Sequence, residues 1–139
     1  MATLADNNPR AFETGDFNDL PVIANDIIYE GAAVGESSAT GTFRPLVAVD
    51  NFAGFAVRKV DNTGGAASAL NVKVMQKGRA TLDVTGVTAV TDEGSTVYAS
   101  DDNTFTLSST SNSSIGKIIR WISGTRCVVA FEAVSARSI

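Results

Sequence analysis

Ser95-Thr-Val-Tyr-Ala-Ser-Asp-Asp-Asn-Thr-Phe-Thr-Leu107 is the stretch whose reading decides the fold. Val97 and Ala99 alternate with Thr96 and Tyr98. Phe105 and Leu107 alternate with Thr104, Thr106 and Ser108. Period-2 patterning on both sides of a short Asp/Asn cluster predicts a β-hairpin. Asp101, Asp102 and Asn103 suit its turn, because their side chains bond the local backbone and tolerate left-handed geometry. A second strand pair follows: Ile115 to Ile122, a turn at Ser123-Gly124-Thr125, then Arg126 to Val134. The section from Gly94 to Val134 is expected to be the sheet onto which everything earlier pairs.

Moving outward, Leu70 to Val84 alternates most cleanly. Leu70, Val72, Val74, Ala80, Leu82 and Val84 share one parity; Asn71, Lys73, Lys77, Arg79, Thr81 and Asp83 share the other. One face is predicted buried and the other wet and basic. Gly78 is the expected site of a bulge or bend. Earlier still, Ile27 to Val34, Phe43 to Val49 and Phe52 to Val60 read as strands. Pro45 argues for an edge or a bulge, and Gly54 for close backbone approach. Met1 to Leu20 shows neither helical nor strand periodicity. The expectation is an all-β chain: one small β-barrel or β-sandwich of about eight short strands (residues 21–139) with an extended N-terminal arm (residues 1–20).

The 139 residues suffice for one core. The formal charge of −4 gives no reason to expect nucleic acid or an anionic membrane as partner. It is unevenly placed: residues 1–36 carry seven acids and one base, residues 37–139 eight acids and ten bases. No leader-like apolar stretch or membrane-length run is visible. Cys127 is the single cysteine, so no disulfide framework exists, and a buried structural thiol is expected.

Histidine is absent. That removes the commonest general base and metal ligand, the Ser-His-Asp triad and the usual zinc sites. No phosphate-cradling glycine motif opens a helix. No catalytic, metal or cofactor residue is assigned. Asp101-Asp102-Asn103 and Asp92-Glu93-Gly94 read as turn chemistry. A carboxylate pair meeting in space stays open as a hydrolase rival, and an aromatic-lined groove would mark a carbohydrate- or receptor-binding β-module instead. Trp121 reads as packing.

The remaining candidates concern contacts. Lys73, Lys77 and Arg79 form a modest basic stripe, read as a solvated strand face or a docking surface for acidic protein. In the arm, Phe12, Phe17 and Leu20 are isolated apolar anchors and Arg10 a possible ion-pair donor toward a neighbour. Cys127 to Val134 is apolar on both faces apart from Glu132, which suits a central barrel strand or a subunit interface through Val128, Ala130 and Val134.

The ordered series Leu20-Pro-Val-Ile, Ile28-Tyr-Glu-Gly-Ala-Ala-Val-Gly, Phe52-Ala-Gly-Phe-Ala, Val60-Asp-Asn, Val72-Lys-Val, Gly94-Ser-Thr-Val-Tyr-Ala-Ser-Asp-Asp, Thr104-Phe-Thr-Leu, Ile115-Gly and Val128-Val-Ala-Phe resembles the small head-decoration, or capsid cement, proteins of tailed bacteriophages. The resemblance spans about residues 20 to 134 and leaves the first 19 outside. It implies a structural virion protein without an active site. Such a protein is assembled in the host cytoplasm, binds the outer capsid surface as a homotrimer and bridges major capsid protein subunits. Cofactors, nucleic acid and membrane have no part in that picture.

Overall fold

Twelve strands form: β1 (Phe17–Pro21), β2 (Ile27–Ile28), β3 (Ala33–Glu36), β4 (Phe43–Pro45), β5 (Asn51–Ala56), β6 (Val60–Asp61), β7 (Asn71–Met75), β8 (Lys77–Thr85), β9 (Thr96–Ala99), β10 (Phe105–Thr106), β11 (Ser113–Ser123) and β12 (Arg126–Glu132). The computed structural model describes residues 5–7 and 15–137, and these strands belong to that part. The all-β fold is therefore as expected, with more and shorter strands than the eight anticipated.

The alternating run from Leu70 to Val84 is where the molecule divides. It breaks at Gln76 rather than at Gly78, and its halves enter different sheets. β7 joins a five-stranded antiparallel sheet of order β1-β7-β5-β3-β4; β8 joins a closed barrel of order β10-β8-β12-β11-β9. The C-terminal strands are thus not the platform for everything earlier, since β8 alone precedes them in the barrel. Gln76 ties the junction together. Its backbone N–H donates to Asp16 O at 2.9 Å and its side chain to Gly15 O at 2.9 Å, while its carbonyl accepts from Ala133 N at 2.6 Å.

Within the barrel both predicted hairpins form. β9 pairs with β10 across the Asp101–Asn103 turn, and β11 with β12. On β8 the small or apolar residues Gly78, Ala80, Leu82 and Val84 lie inward, and Lys77, Arg79, Thr81 and Asp83 are exposed. The barrel closes where β10 pairs with the end of β8 at Val84 and Thr85.

The sheet curls without closing. Its edge strands meet where Val22, just past β1, bridges Phe43 of β4 and Ile23 N donates to Phe43 O at 2.9 Å. Pro45 lies on β4, an edge strand, where a missing N–H is tolerated. Val22, Ile28, Ala32, Val34, Ala53, Ala56, Val72 and Val74 fill the concave side. Two expected long strands divide to make this shape. Ile27 to Val34 turns at Tyr29–Ala32, so that β2 leaves to pair with β6, and the segment after Ala56 does the same from its side. Asn62 anchors the crossing: it is 3% exposed and its amide donates to Ile23 O at 2.9 Å and Ala66 O at 3.0 Å.

The arm is the clearest correction. Its last residues, Phe17 to Leu20, are strand: β1 pairs with β7 from Phe17 opposite Met75 to Pro21 opposite Asn71. The strand is a sheet edge with only partly buried faces, so its sequence carries no alternation.

The two modules share their larger core. Phe52 and Phe55 of the sheet pack with Phe105 and Phe131 of the barrel. Phe55 meets Phe131 at 4.8 Å and 80°, and Phe52 meets Phe55 at 5.4 Å and 70°; both are edge-to-face arrangements. Simple alternation would put Phe52 and Phe55, three apart, on opposite faces. A register shift opposite Val34/Gly35 restores them to one side. Gly54 makes this possible: its φ is +122°, and a Cβ there would collide with Met75 O.

Candidate functional site

The predicted contact residues do not converge. Arg10 and Phe12 lie outside the described residues. Phe17 and Leu20 are anchored within their own chain: Leu20 packs on the sheet's core, and the Phe17 ring lies under Lys73, with Nζ 5.0 Å from its centroid. Lys73 faces Asp19 across the β1–β7 ladder. The acidic segment therefore already meets one member of the basic stripe inside the monomer. Lys77 and Arg79 stand apart on the barrel, exposed, opposite Glu132 and Ala130. The stripe spans two sheets and is not one strand face.

On β12 the interface candidates also separate. Val128 is 6% exposed, Ala130 is half-buried and Val134, beyond the strand, is 39% exposed. Val128 is already covered within one chain, flanked by Thr81 and Arg120. An Asp at Val128 would therefore test folding, whereas Ala130 remains suited to testing association. Cys127 is fully buried, and burial followed by the Asp83 carboxylate pushes its thiol pKa up. Trp121 packs on the barrel core and donates its indole N–H to Gly124 O at 3.0 Å.

The acidic turns do local work. Asp101 accepts from Asn103 N at 2.8 Å and Thr104 Oγ1 at 3.0 Å. Asp92 accepts from Thr88 N at 2.8 Å and Ala89 N at 3.1 Å, bonds that hold its pKa below the usual carboxylate range. No group of three or more metal-ligating side chains occurs among the described residues, and no helix among them is long and apolar enough to cross a membrane.

Two concavities lie at the seam between sheet and barrel. One, of about 300 Å³, is apolar and lined by Phe55, Met75, Leu82 and Phe131 among others. The other, of about 520 Å³, is lined by Tyr29, Glu30, Gly31, Ala32, Asp102 and Asn103. Burial, then the neighbouring Asp101, raises the Asp102 pKa. Tyr29 is the one aromatic in this cleft, and Lys59 Nζ lies over its ring at 5.2 Å. That cation occupies a face on which a sugar would stack.

The turn after β4 comes earlier than the sequence suggests, which places a tight turn at Asp50-Asn51 after a strand running to Val49. Leu46 to Val49 was expected to continue a strand, but the chain turns and Asp50 folds back beneath it. Its carboxylate accepts from Arg44 Nε at 3.0 Å, Arg44 Nη2 at 2.9 Å and Val47 N at 3.1 Å. Val47 and Val49 are left 48% and 73% exposed. The alternation of Phe43 to Val49 gives no sign of this, and Asp50-Asn51, read as the turn itself, marks only where the turn ends.

Comparison of the chain with protein-family models, with curated proteins and with solved structures finds no match in any of the three.

Proposed function

We propose that this chain is a structural virion protein that binds the outer surface of a phage capsid and stabilises the head by bridging major capsid subunits. The observation that carries this reading is the ordered series of segments from Leu20-Pro-Val-Ile to Val128-Val-Ala-Phe, in the succession seen in head-decoration proteins. Those segments coincide with parts that make the fold, including β5 with its glycine bulge, the buried Asn62 and the β9–β10 hairpin. The surface supports a contact role. Nine large apolar side chains are at least 36% exposed among the described residues, with Val49, Val90 and Tyr29 the most exposed.

Bridging requires several contacts per chain. A standard interface takes about 800 Å² from each partner, and the chain exposes 8226 Å². Two neighbours in a homotrimeric ring and a capsid surface therefore fit together. Linked contacts of a trimer add through effective concentration, so each can be weak.

The direct test is binding of the purified protein to undecorated expanded capsids, followed by cryo-EM of the decorated particle. Saturable binding with density at three-fold or quasi-three-fold positions is expected. Absence of binding refutes the reading. Light scattering is expected to give a mass near three chains, reduced by Ala130→Asp with an unchanged far-UV spectrum. A wild-type monomer at high concentration would remove the free trimer.

A further inference from the structure

The turn from Leu46 to Asp50 is built to hold apolar side chains outward. Asp50 is the staple: its side chain is 8% exposed, ion-paired to Arg44, and its N–H closes the turn onto Val47 O at 2.9 Å. Gly35 makes room for it, since a Cβ there would lie 2.6 Å from the Asp50 carboxylate. Val49 then adopts φ +71°, a left-handed conformation that disfavours a β-branched residue. It is the most exposed of the large apolar side chains among the described residues. Folding of this monomer thus gains little from a valine at this position, and glycine would suit the backbone better.

The surroundings are mostly acidic, and the two cations there are already engaged, Arg44 with Asp50 and Lys59 over the Tyr29 ring. Val47 bridges Asp101 in the β9–β10 turn, and the next residue, Asp102, lines the 520 Å³ cleft with Glu30 and Tyr29. Asp26 lies near enough to act on both Arg44 and Asp102. Desolvation and the neighbouring carboxylates raise the Asp102 pKa, so a cation brought beside it would relieve an existing repulsion.

We infer that the turn bearing Val47 and Val49 is a preformed apolar key that docks into a hydrophobic pocket of a partner protein whose rim is basic, with a lysine or arginine of that rim entering the cleft beside Asp102 and Glu30. The inference rests on the proposed capsid-binding role and makes the outer capsid surface that partner. Complementary charge selects the partner and speeds encounter, while the valines supply the buried contact.

The test measures binding to undecorated capsids, together with melting temperature, for the wild type and three variants. Val49→Gly is expected to raise the melting temperature while weakening binding about tenfold, the scale of one apolar side chain withdrawn from a pocket. Asp102→Asn combined with Glu30→Gln is expected to weaken binding and flatten its salt dependence. Val90→Ser, at a site 57% exposed and away from the key, is expected to bind like wild type. Wild-type-like binding by Val49→Gly overturns the inference and leaves capsid binding intact, as does an equal loss in Val90→Ser. An unchanged salt dependence in the acidic double variant removes the basic rim and overturns it too. Sedimentation velocity adds one more outcome: a wild-type oligomer dissolved by Val49→Gly would make a second copy the occupant and overturn it. If the wild type itself does not bind, the capsid-binding role fails first and the inference falls with it.

Discussion

The curled sheet of residues 17–75 and the closed barrel of residues 77–132 have five strands each and are held by different means. Every barrel strand has two hydrogen-bonded neighbours, and its core includes Ile115, Ile118, Phe105 and Phe131. In the sheet, β1 and β4 are edges that touch at one bridge, and the concave core consists of valines and alanines with Ile28 as its largest fully buried side chain. Its two buried phenylalanines, Phe52 and Phe55, are lent to the other module. The difference teaches where cohesion resides. The barrel closes on itself through strand pairing, and the sheet depends on what it shares.

The strongest way to break that comparison is Phe55→Ala. Removing a ring that touches Phe52, Phe105 and Phe131 is expected to cost about 3–5 kcal/mol. Denaturant unfolding followed by Trp121 fluorescence and by far-UV circular dichroism is expected to remain one coincident transition. Two separated transitions would mean that the barrel stands without the sheet.

Val74→Ala probes the smaller core alone. A loss of about 2 kcal/mol is expected from the missing methyl groups and the void they leave. Native-state hydrogen exchange should show the loss in β1 and β7 while β8 to β12 keep their protection. Equal loss in the barrel would remove the distinction between the modules.

The smallest effect comes from Asp102, at the seam. Its folded-state pKa lies above the ordinary carboxylate value, so the folded protein holds the proton more readily than the unfolded chain. Stability attributable to this group is therefore higher below the ordinary carboxylate range and falls as pH rises through the raised folded-state pKa. Asp102→Asn is expected to raise the melting temperature slightly at pH 7 and to leave it unchanged at pH 3. A decrease at pH 7 would show that the carboxylate makes a stabilising contact outweighing its desolvation.

Some of this architecture is legible in the residues. The hairpin turns announce themselves through Asp101-Asp102-Asn103 and Ser123-Gly124-Thr125, because turn chemistry is local. Pro45 marks an edge for the same reason. Alternation identifies the inward residues of β7 and β8. What alternation cannot carry is which sheet a strand joins, and the run through Gln76 reads as continuous although it crosses from one sheet to the other. Nor does it survive a bulge: Phe52 and Phe55 share a side only because Gly54 resets the parity. β1 was hidden because an edge strand with partly buried faces has no need of a pattern. For the key, Val47 and Val49 look like strand residues in sequence, and their exposure follows from the reach of Asp50 and Arg44, which periodicity does not encode. Lys73, Lys77 and Arg79 share a parity, and Val128, Ala130 and Val134 belong to one doubly apolar run, but the fold scatters both sets.

Gln76 has one further consequence. It holds Asp16 and Ala133 through its own backbone, so the chain enters the first module, crosses to the second and leaves it at a single post. Circular permutation should exploit this. A short linker joining the start of β1 to the end of β12 at that post, with new ends opened in the exposed Thr63–Gly64 loop, keeps every ladder intact while placing β7 and the barrel ahead of β1 to β6 in synthesis. Peptides genetically fused before Asp16 or after Ala133 would, for the same reason, be displayed side by side.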